Sequence, residues 1–321
     1  MKRQVALGID IGGTNTTFGF IDRDGTYIAD GNILTRKHED INDYLKELYL
    51  EIERGFDPIR ENTELIGIGI GAPNGNFYKG IIEHAPNLRW QGVIPLRDKI
   101  KEFYPHLPVY LTNDAKAAAL GEMIYGGAKG MKNFVMITLG TGLGSGFVAN
   151  GELIYGHDGF AGELGHITVA PEGRQCGCGK IGCLETYVSA TGVKRTAYEM
   201  MAKYNYSSKL RQIPFDEMTA KIVAEEAQKG DLIAINTFKY TGKMLGEALA
   251  STVAITSPEA IFLFGGLAQA GDLIFSPTKD HMEMNLLKVF SHKVKLLPSK
   301  LDKNAAIYGA SALVWKELSL S

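Results

Sequence analysis

Gln4-Val5-Ala6-Leu7-Gly8-Ile9-Asp10 runs into Gly12-Gly13 and out again along Thr16–Ile21, meets Asp24-Gly25, and continues through Thr26–Leu34. The pattern reads as strand, tight glycine turn, strand, Asx-Gly hairpin and third strand. The same order returns further on: Phe134–Leu139, then Gly140-Thr141-Gly142-Leu143-Gly144, Ser145–Ala149, Asn150-Gly151 and Glu152–Tyr155. A unit that opens both halves of a chain predicts two related α/β domains facing each other across a cleft.

Between the two openings, Asp40–Phe56 carries Ile41, Tyr44, Leu45, Leu48 and Ile52 at helical spacing, so an amphipathic helix is expected. Leu65–Ile70 reads as a buried strand of small residues alternating with isoleucines, followed by the turn-rich Gly71-Ala72-Pro73-Asn74-Gly75. Pro95–Phe103 predicts a helix, Val109–Leu111 a strand, and Asp114–Tyr125 a helix capped by Asn113 or Asp114. After the loop that carries the cysteines the chain is mainly helical, through Ala190–Tyr204, Asp216–Gln228 and Asp231–Ile255. A late buried strand, Ala260–Phe264, ends at Gly265-Gly266, and a last helix over Ala305–Leu318 is expected to pack back on the first domain. At 321 residues there is room for two cores. The expected division is residues 1–115 with 305–321, and residues 116–304.

The bulk properties exclude some partners. A net charge of −2 offers no basic footprint for nucleic acid or an anionic membrane. No apolar run approaches the roughly 20 residues that span a bilayer. The apolar Val5–Ile9 after Lys2 and Arg3 ends at Asp10 with no cleavage pattern, so it is read as a first strand rather than a signal peptide. Sparse cysteines, not arranged for bridges, suggest a reducing compartment, and the expected location is the cytoplasm.

All three cysteines, Cys176, Cys178 and Cys183, fall within eight residues, with His166 ten positions ahead of the first. Thiolates and a neutral imidazole are what tetrahedral zinc prefers, and glycines at 177, 179 and 182 let the backbone fold around an ion. A disulfide suffers from the odd count and from the closeness of Cys176 to Cys178. The plainer alternative is three free thiols and an unrelated histidine. Glu163 and Glu185 bracket the cluster. A metal-tied loop would hold both carboxylates rigidly as acceptors for hydroxyl groups.

The two glycine turns, Asp10-Ile11-Gly12-Gly13-Thr14 and Leu139-Gly140-Thr141-Gly142, offer consecutive N–H groups to an anion. A single such turn is commonly just a turn, but a matched pair reads as a phosphate clamp. Asp10, at a strand end, is placed to orient hydrated Mg2+ between phosphates. Neither turn leads straight into a helix, which excludes a dinucleotide fingerprint, and no P-loop sequence occurs. In Thr112-Asn113-Asp114-Ala115 a strand ends and a helix begins. A carboxylate there can accept a hydroxyl proton, although an Asp at such a position is commonly only a cap.

With these residues in view, the chain resembles the ROK family of sugar kinases, and its bacterial glucokinase branch in particular. The matching motifs are Gly8-Ile9-Asp10-Ile11-Gly12-Gly13-Thr14, Thr112-Asn113-Asp114-Ala115 with Ala118-Ala119-Leu120-Gly121-Glu122, and Leu139-Gly140-Thr141-Gly142. Gly162-Glu163-Leu164-Gly165-His166, the cysteine loop through Glu185, and Gly265-Gly266 complete the set, in the family's order over essentially the whole chain. The resemblance implies an α/β actin-like ATPase (hexokinase-type) fold, two ribonuclease-H-like domains around a cleft. It implies ATP-dependent phosphorylation of a sugar hydroxyl with Mg2+, structural zinc, a role in glycolysis and a homodimer. By position, Asp114 would be the base for the 6-hydroxyl. Asn113, Glu163, His166 and Glu185 would hold other hydroxyls, with Asn87 at the rim. His166 would also join Cys176, Cys178 and Cys183 as a zinc ligand. Asp10, Gly12, Gly13, Thr14, Gly140, Thr141 and Gly142 would surround the phosphates and Mg2+, and Gly265 and Gly266 the adenosine.

Three positions depart from the family's usual pattern: Lys116 for Asn, Asn74 for the Gly after the loop proline, and Leu267 for a third Gly. Glucose is the first expectation. Allose, mannose, N-acetylglucosamine, N-acetylmannosamine or fructose are the alternatives, and Asn74 bears most on that choice. A different class is a sugar-responsive regulator. Family repressors carry a helix-turn-helix before the first strand, whereas here the strand begins within the first few residues. An actin- or chaperone-like ATPase would give the cysteine loop no role.

Overall fold

The computed structural model describes residues 2–301 and 305–320. Residues 302–304 and Ser321, the last residue of the expected first domain, lie outside the described residues. In chain order the elements are β1 Arg3–Ile11, β2 Thr16–Asp22, β3 Tyr27–Ile33, α1 Ile41–Phe56 and β4 Thr63–Ala72. Three short strands follow, β5 Gly75–Asn76, β6 Ile81–Glu83 and β7 Val93–Ile94, then α2 Leu96–Phe103, β8 Val109–Asn113 and α3 Asp114–Ile124. Next come β9 Phe134–Leu139, β10 Leu143–Ala149, β11 Glu152–Leu153, α4 Ala190–Lys203, α5 Ala220–Gln228 and α6 Leu232–Thr256. The chain closes with β12 Ala260–Phe264, α7 Asp272–Asn285, β13 Lys295–Pro298 and α8 Ala305–Leu320.

Two compact units result. The first comprises Met1–Met131, Glu152–Gly162 and Lys300–Ser321, the second Lys132–Gly151 and Glu163–Ser299. The expected boundary after residue 115 falls at the start of α3, yet α3 stays with the first unit because it packs on α8. That contact is close. A Cβ on Gly309 would strike the backbone of Ala117, and one on Gly69 of β4 would strike the carbonyl of Ala310. The small residues that alternate with isoleucine in β4 are therefore the seat of α8.

In the first unit the sheet order is β3-β2-β1-β4-β8. β1 pairs antiparallel with β2 and parallel with β4, and β4 pairs parallel with β8. Val5, Leu7, Ile9 and Ile11 of β1 share a core with Tyr44, Leu45, Leu48 and Ile52 of α1. Asp40 caps α1, its carboxylate accepting from the N–H groups of Asn42 and Asp43. In the second unit β9 pairs antiparallel with β10 and parallel with β12, which pairs parallel with β13. Its core joins Val135, Ile137 and Leu139 to Phe238, Leu245 and Leu249 of α6. Antiparallel pairs followed by parallel ones in both sheets is the ribonuclease-H-like order. Among the described residues no helix is long and apolar enough to cross a membrane.

Candidate active site

In the first unit three parallel strands end side by side. The register pairs Asp10 of β1 with Gly71 of β4, and Gly71 and Ala72 with Thr112 and Asn113 of β8. The carboxyl ends of parallel strands are where α/β sheets place their ligands. A Cβ added to Gly71 would meet the Ala117 Cβ at 3.3 Å, with the Cα of Asp114 at 3.6 Å and Asp10 Oδ1 at 3.9 Å, so this position borders both acids. Nothing in the sequence pattern singled it out.

Asn113, with φ −68° and ψ 148°, is the N-cap of α3. Its Oδ1 accepts from the N–H groups of Ala115 at 3.0 Å and Lys116 at 3.4 Å. Asp114 is thus the first residue of the helix rather than its cap, and its Oδ1 lies 2.8 Å from the Ala115 N–H. The residue as a whole is exposed, while surrounding protein crowds its carboxyl group. That crowding raises its pKa against the lowering by the Ala115 N–H, Asn113 and Lys116. Asp10 is pushed up to about 7, first by burial and then by the charge of Asp114. Two carboxylates in this relation are what a divalent cation relieves.

A raised folded pKa means that Asp10 favours the fold when protonated and that this advantage disappears between its ordinary value of 3.8 and about 7. Without nucleotide or Mg2+, Asp10→Asn is expected to raise stability at pH 8 by a few kcal/mol at most, seen as a higher melting temperature, with no gain at pH 4. Thermal scans at the two pH values check this; an equal effect at both would remove the charge explanation.

The turn after β1 is closed by the Gly12 N–H donating to the Asn15 carbonyl at 2.9 Å. Asn87 is exposed, and its backbone lies against Gly13, where a Cβ would strike the Asn87 carbonyl. Thr14 is exposed at the tip of the turn. Asp10, Gly12, Gly13, Thr14, Asn87, Asn113 and Asp114 all belong to this one unit.

The second unit holds the other candidates. In the turn after β9 the Gly140 N–H donates to the Gly142 carbonyl at 3.0 Å, and the Thr191 hydroxyl donates to the Thr141 carbonyl at 2.7 Å. Gly265, with φ +102°, packs on the backbone of Leu139, which brings Gly265-Gly266 beside this turn. Glu185 Oε2 accepts from the Leu143 N–H at 2.9 Å, and a Cβ on Gly142 would strike it. Its other oxygen lies 3.8 Å from Cys176 Sγ. Glu185 therefore joins the glycine turn to the cysteine loop. Glu163 is exposed and directly precedes the 3-10 turn Leu164–His166.

His166, Cys176, Cys178 and Cys183 converge, with one donor atom from each within 4.8 Å of all the others. Cys176 Sγ lies 3.8 Å from His166 Nδ1, and the Cys178 and Cys183 sulfurs are 3.7 Å apart. Bonds of about 2.3 Å from zinc to sulfur in a tetrahedron place sulfurs roughly 3.8 Å apart, so the donor set fits zinc in chemistry and spacing. With Nδ1 turned to the sulfurs, Nε2 is the ring nitrogen on the opposite side.

One residue that the sequence reading missed anchors this loop. Arg174 is buried, and its guanidinium donates to Glu199 Oε1 at 2.8 Å, to Thr196 Oγ1 at 2.8 Å and to the Thr186 carbonyl at 2.6 Å. It also stacks over Tyr187, 4.3 Å from the ring centre. Its only signal in the sequence is its place two residues before Cys176.

The three departures are also placed. Lys116 is buried and donates to the Gly159 carbonyl at 3.1 Å. Leu267 is buried, its N–H donating to the Leu139 carbonyl at 3.3 Å. Asn74 adopts φ +52°, a conformation that suits the glycine expected there, and turns its amide toward the 83–84 segment.

Two ribonuclease-H-like units, each with a glycine turn after its first strand, define the actin-like ATPase fold, and the acid pair with the cysteine loop narrows the class to its sugar kinases. The chain belongs to the ROK family, whose profile matches residues 6–317. It is 38% identical to a glucokinase from Halalkalibacterium halodurans, over 96% of this chain and 94% of that one. A ROK glucokinase from Streptomyces griseus, solved in complex with glucose and AMPPNP, superposes with a TM-score of 0.79 at 30% identity, covering 97% of this chain and 99% of that one. The xylose repressor of Bacillus subtilis is 27% identical over 98% of this chain and 77% of its own length.

Proposed function

We propose that the chain is an ATP-dependent hexose kinase that phosphorylates the 6-hydroxyl of an aldohexose, with glucose as the first candidate. The observation that carries this reading is the Asn113–Asp114 junction: the neighbouring asparagine does the capping, and although one Asp114 oxygen meets the Ala115 N–H, the other is left for chemistry. Asp114 accepts the proton of the attacking hydroxyl. Such general-base help contributes about 10²–10⁴ in rate. Asn87, Asn113, Glu163, His166 and Glu185 orient the remaining hydroxyls. The N–H groups around Gly12, Gly13 and Thr14, and around Gly140, Thr141 and Gly142, bind the nucleotide's phosphates, with Gly265 and Gly266 beside the adenosine. Mg2+ held near Asp10 would supply charge neutralisation to the transferring phosphoryl group. Zinc on His166, Cys176, Cys178 and Cys183 would fix the loop that carries Glu185.

The likeness to the xylose repressor supports a second reading, a sugar-responsive regulator that keeps the fold without the chemistry. A coupled ADP-release assay with ATP and Mg2+ separates the two. The panel is glucose, allose, mannose, N-acetylglucosamine, N-acetylmannosamine and fructose. Turnover on glucose above the rest is the expected result. Preference for another hexose keeps the mechanism and changes the substrate. Hexose binding without turnover on any sugar overturns the kinase reading in favour of the regulator.

A further inference from the structure

Asn74 stands two residues beyond the carboxyl end of β4, the strand that lies between β1, which carries Asp10, and β8, which ends in Asn113. The turn it belongs to is pressed against β8, since a Cβ on Gly75 would strike the Thr112 carbonyl. A left-handed φ is one that asparagine tolerates better than other side chains with a Cβ. Its carboxamide then does what a glycine cannot. Nδ2 donates to the carbonyls of Glu83 at 2.9 Å and His84 at 3.2 Å, while the Glu83 N–H donates back to the Asn74 carbonyl at 3.3 Å.

The segment held in this way needs holding. His84 is itself left-handed, with φ +48°, a conformation that persists only where neighbours enforce it. Its N–H donates to the Gly92 carbonyl at 2.8 Å. Three residues later the Asn87 backbone packs against Gly13 in the first glycine turn. A chain of contacts thus runs from Asn74 through Glu83 and His84 to Asn87 and the turn.

We propose that Asn74 is a positioning residue for the sugar-facing rim, its amide stapling Glu83 and His84 so that Asn87 is set against the Gly12-Gly13 turn. The proposal rests on the assignment of Asn87 to a sugar hydroxyl. Asn74 therefore influences sugar affinity through the 83–87 segment rather than by its own contact with the sugar.

Two variants test it. Asn74→Asp keeps the size of the side chain but presents a carboxylate, which cannot donate, to two carbonyls. Asn74→Gly keeps the backbone freedom and removes the staple. For both, the KM for the preferred hexose is expected to rise, about tenfold for Asn74→Asp, equivalent to about 1.4 kcal/mol, and less for Asn74→Gly. The kcat should stay within about threefold and the KM for ATP should rise less than that for hexose, since the Gly12-Gly13 turn is closed by its own Gly12–Asn15 hydrogen bond. Hydrogen exchange over residues 81–88 should quicken in both. Unchanged exchange overturns the staple, and quickened exchange with an unchanged hexose KM overturns its positioning role. If the wild-type protein turns over no hexose, the kinase reading itself has failed. In that case exchange still decides the staple, and calorimetric hexose affinity of the two variants decides the positioning role.

Discussion

Asp114→Asn is expected to lose turnover by about three orders of magnitude while folding normally and still binding hexose. The size follows from what a positioned base contributes, about 10²–10⁴ in rate. Normal folding follows from the capping geometry: the Asn113 side chain accepts the Ala115 and Lys116 N–H groups, so α3 stays capped when the neighbouring carboxylate becomes an amide. Hexose binding survives because the amide matches the carboxylate in shape and the other proposed hydroxyl ligands are untouched. The pH profile should carry the same signature. Crowding raises the pKa of Asp114 and destabilises its ionised form, so kcat/KM should fall as pH drops through that raised value. Mg2+ held near Asp10 would favour the ionised form of that neighbour, which leaves the acid limb to Asp114. In Asp114→Asn the limb due to the base should vanish. Steady-state rates at saturating Mg-ATP, together with calorimetric hexose affinity, check both parts. A variant within tenfold of wild type would remove Asp114 from the mechanism.

The parts of this architecture that could be read from sequence are those with local physical causes. Phe134–Leu139 and Ala260–Phe264 form strands over the expected residues because continuous apolar runs bounded by glycine leave little choice. Asp231 and Asp40 mark helix starts as caps. The helix expected from Asp216 begins only at Ala220, because Thr219 caps it by accepting the Ile222 N–H and the preceding residues are spent in a turn. Strands of two or three residues, such as β5, β6 and β7, carry no period to detect, yet their small sheet is what Asn74 holds. The same division applies to the site. The candidate metal ligands His166, Cys176, Cys178 and Cys183 stand close in sequence and announce themselves by spacing. Gly71 borders both Asp10 and Asp114, and Arg174 reaches Thr186, Thr196 and Glu199, relations that exist only after folding. Asn113 and Asp114 are equally plausible caps by sequence, and only the backbone angles assign the cap of α3 to Asn113.

Cys178→Ser is expected to abolish zinc binding and to raise the hexose KM by an order of magnitude or more, with a lower melting temperature. Cys178 is the exposed member of the set, whereas Cys176 and Cys183 are buried. Replacing it leaves no cavity, so the loss measures the ligand rather than the packing. Structural zinc sites hold their metal with about 10–16 kcal/mol of apparent binding energy, and a neutral hydroxyl in place of a thiolate removes one of the four ligands that supply it. The damage should be local. The loop is hinged at Gly182, whose N–H donates to the Arg174 carbonyl at 2.8 Å, and the Arg174 guanidinium grips α4 and the Thr186 carbonyl without any metal. Residues 176–183 should loosen while the base of the loop stays docked. Glu185 lies on the border between the two, tied to the Leu143 N–H on one side and close to Cys176 on the other. Its carboxylate should lose orientation rather than position, which predicts weaker hexose binding with a nearly unchanged KM for ATP. Metal analysis of the purified protein should give one zinc per chain for the wild type and none for the variant. Chelation of the wild type should reproduce the variant's hexose KM, and added zinc should reverse it. A wild-type protein that carries no zinc and still binds hexose tightly would show that the cluster holds its shape through thiol contacts and Arg174 alone.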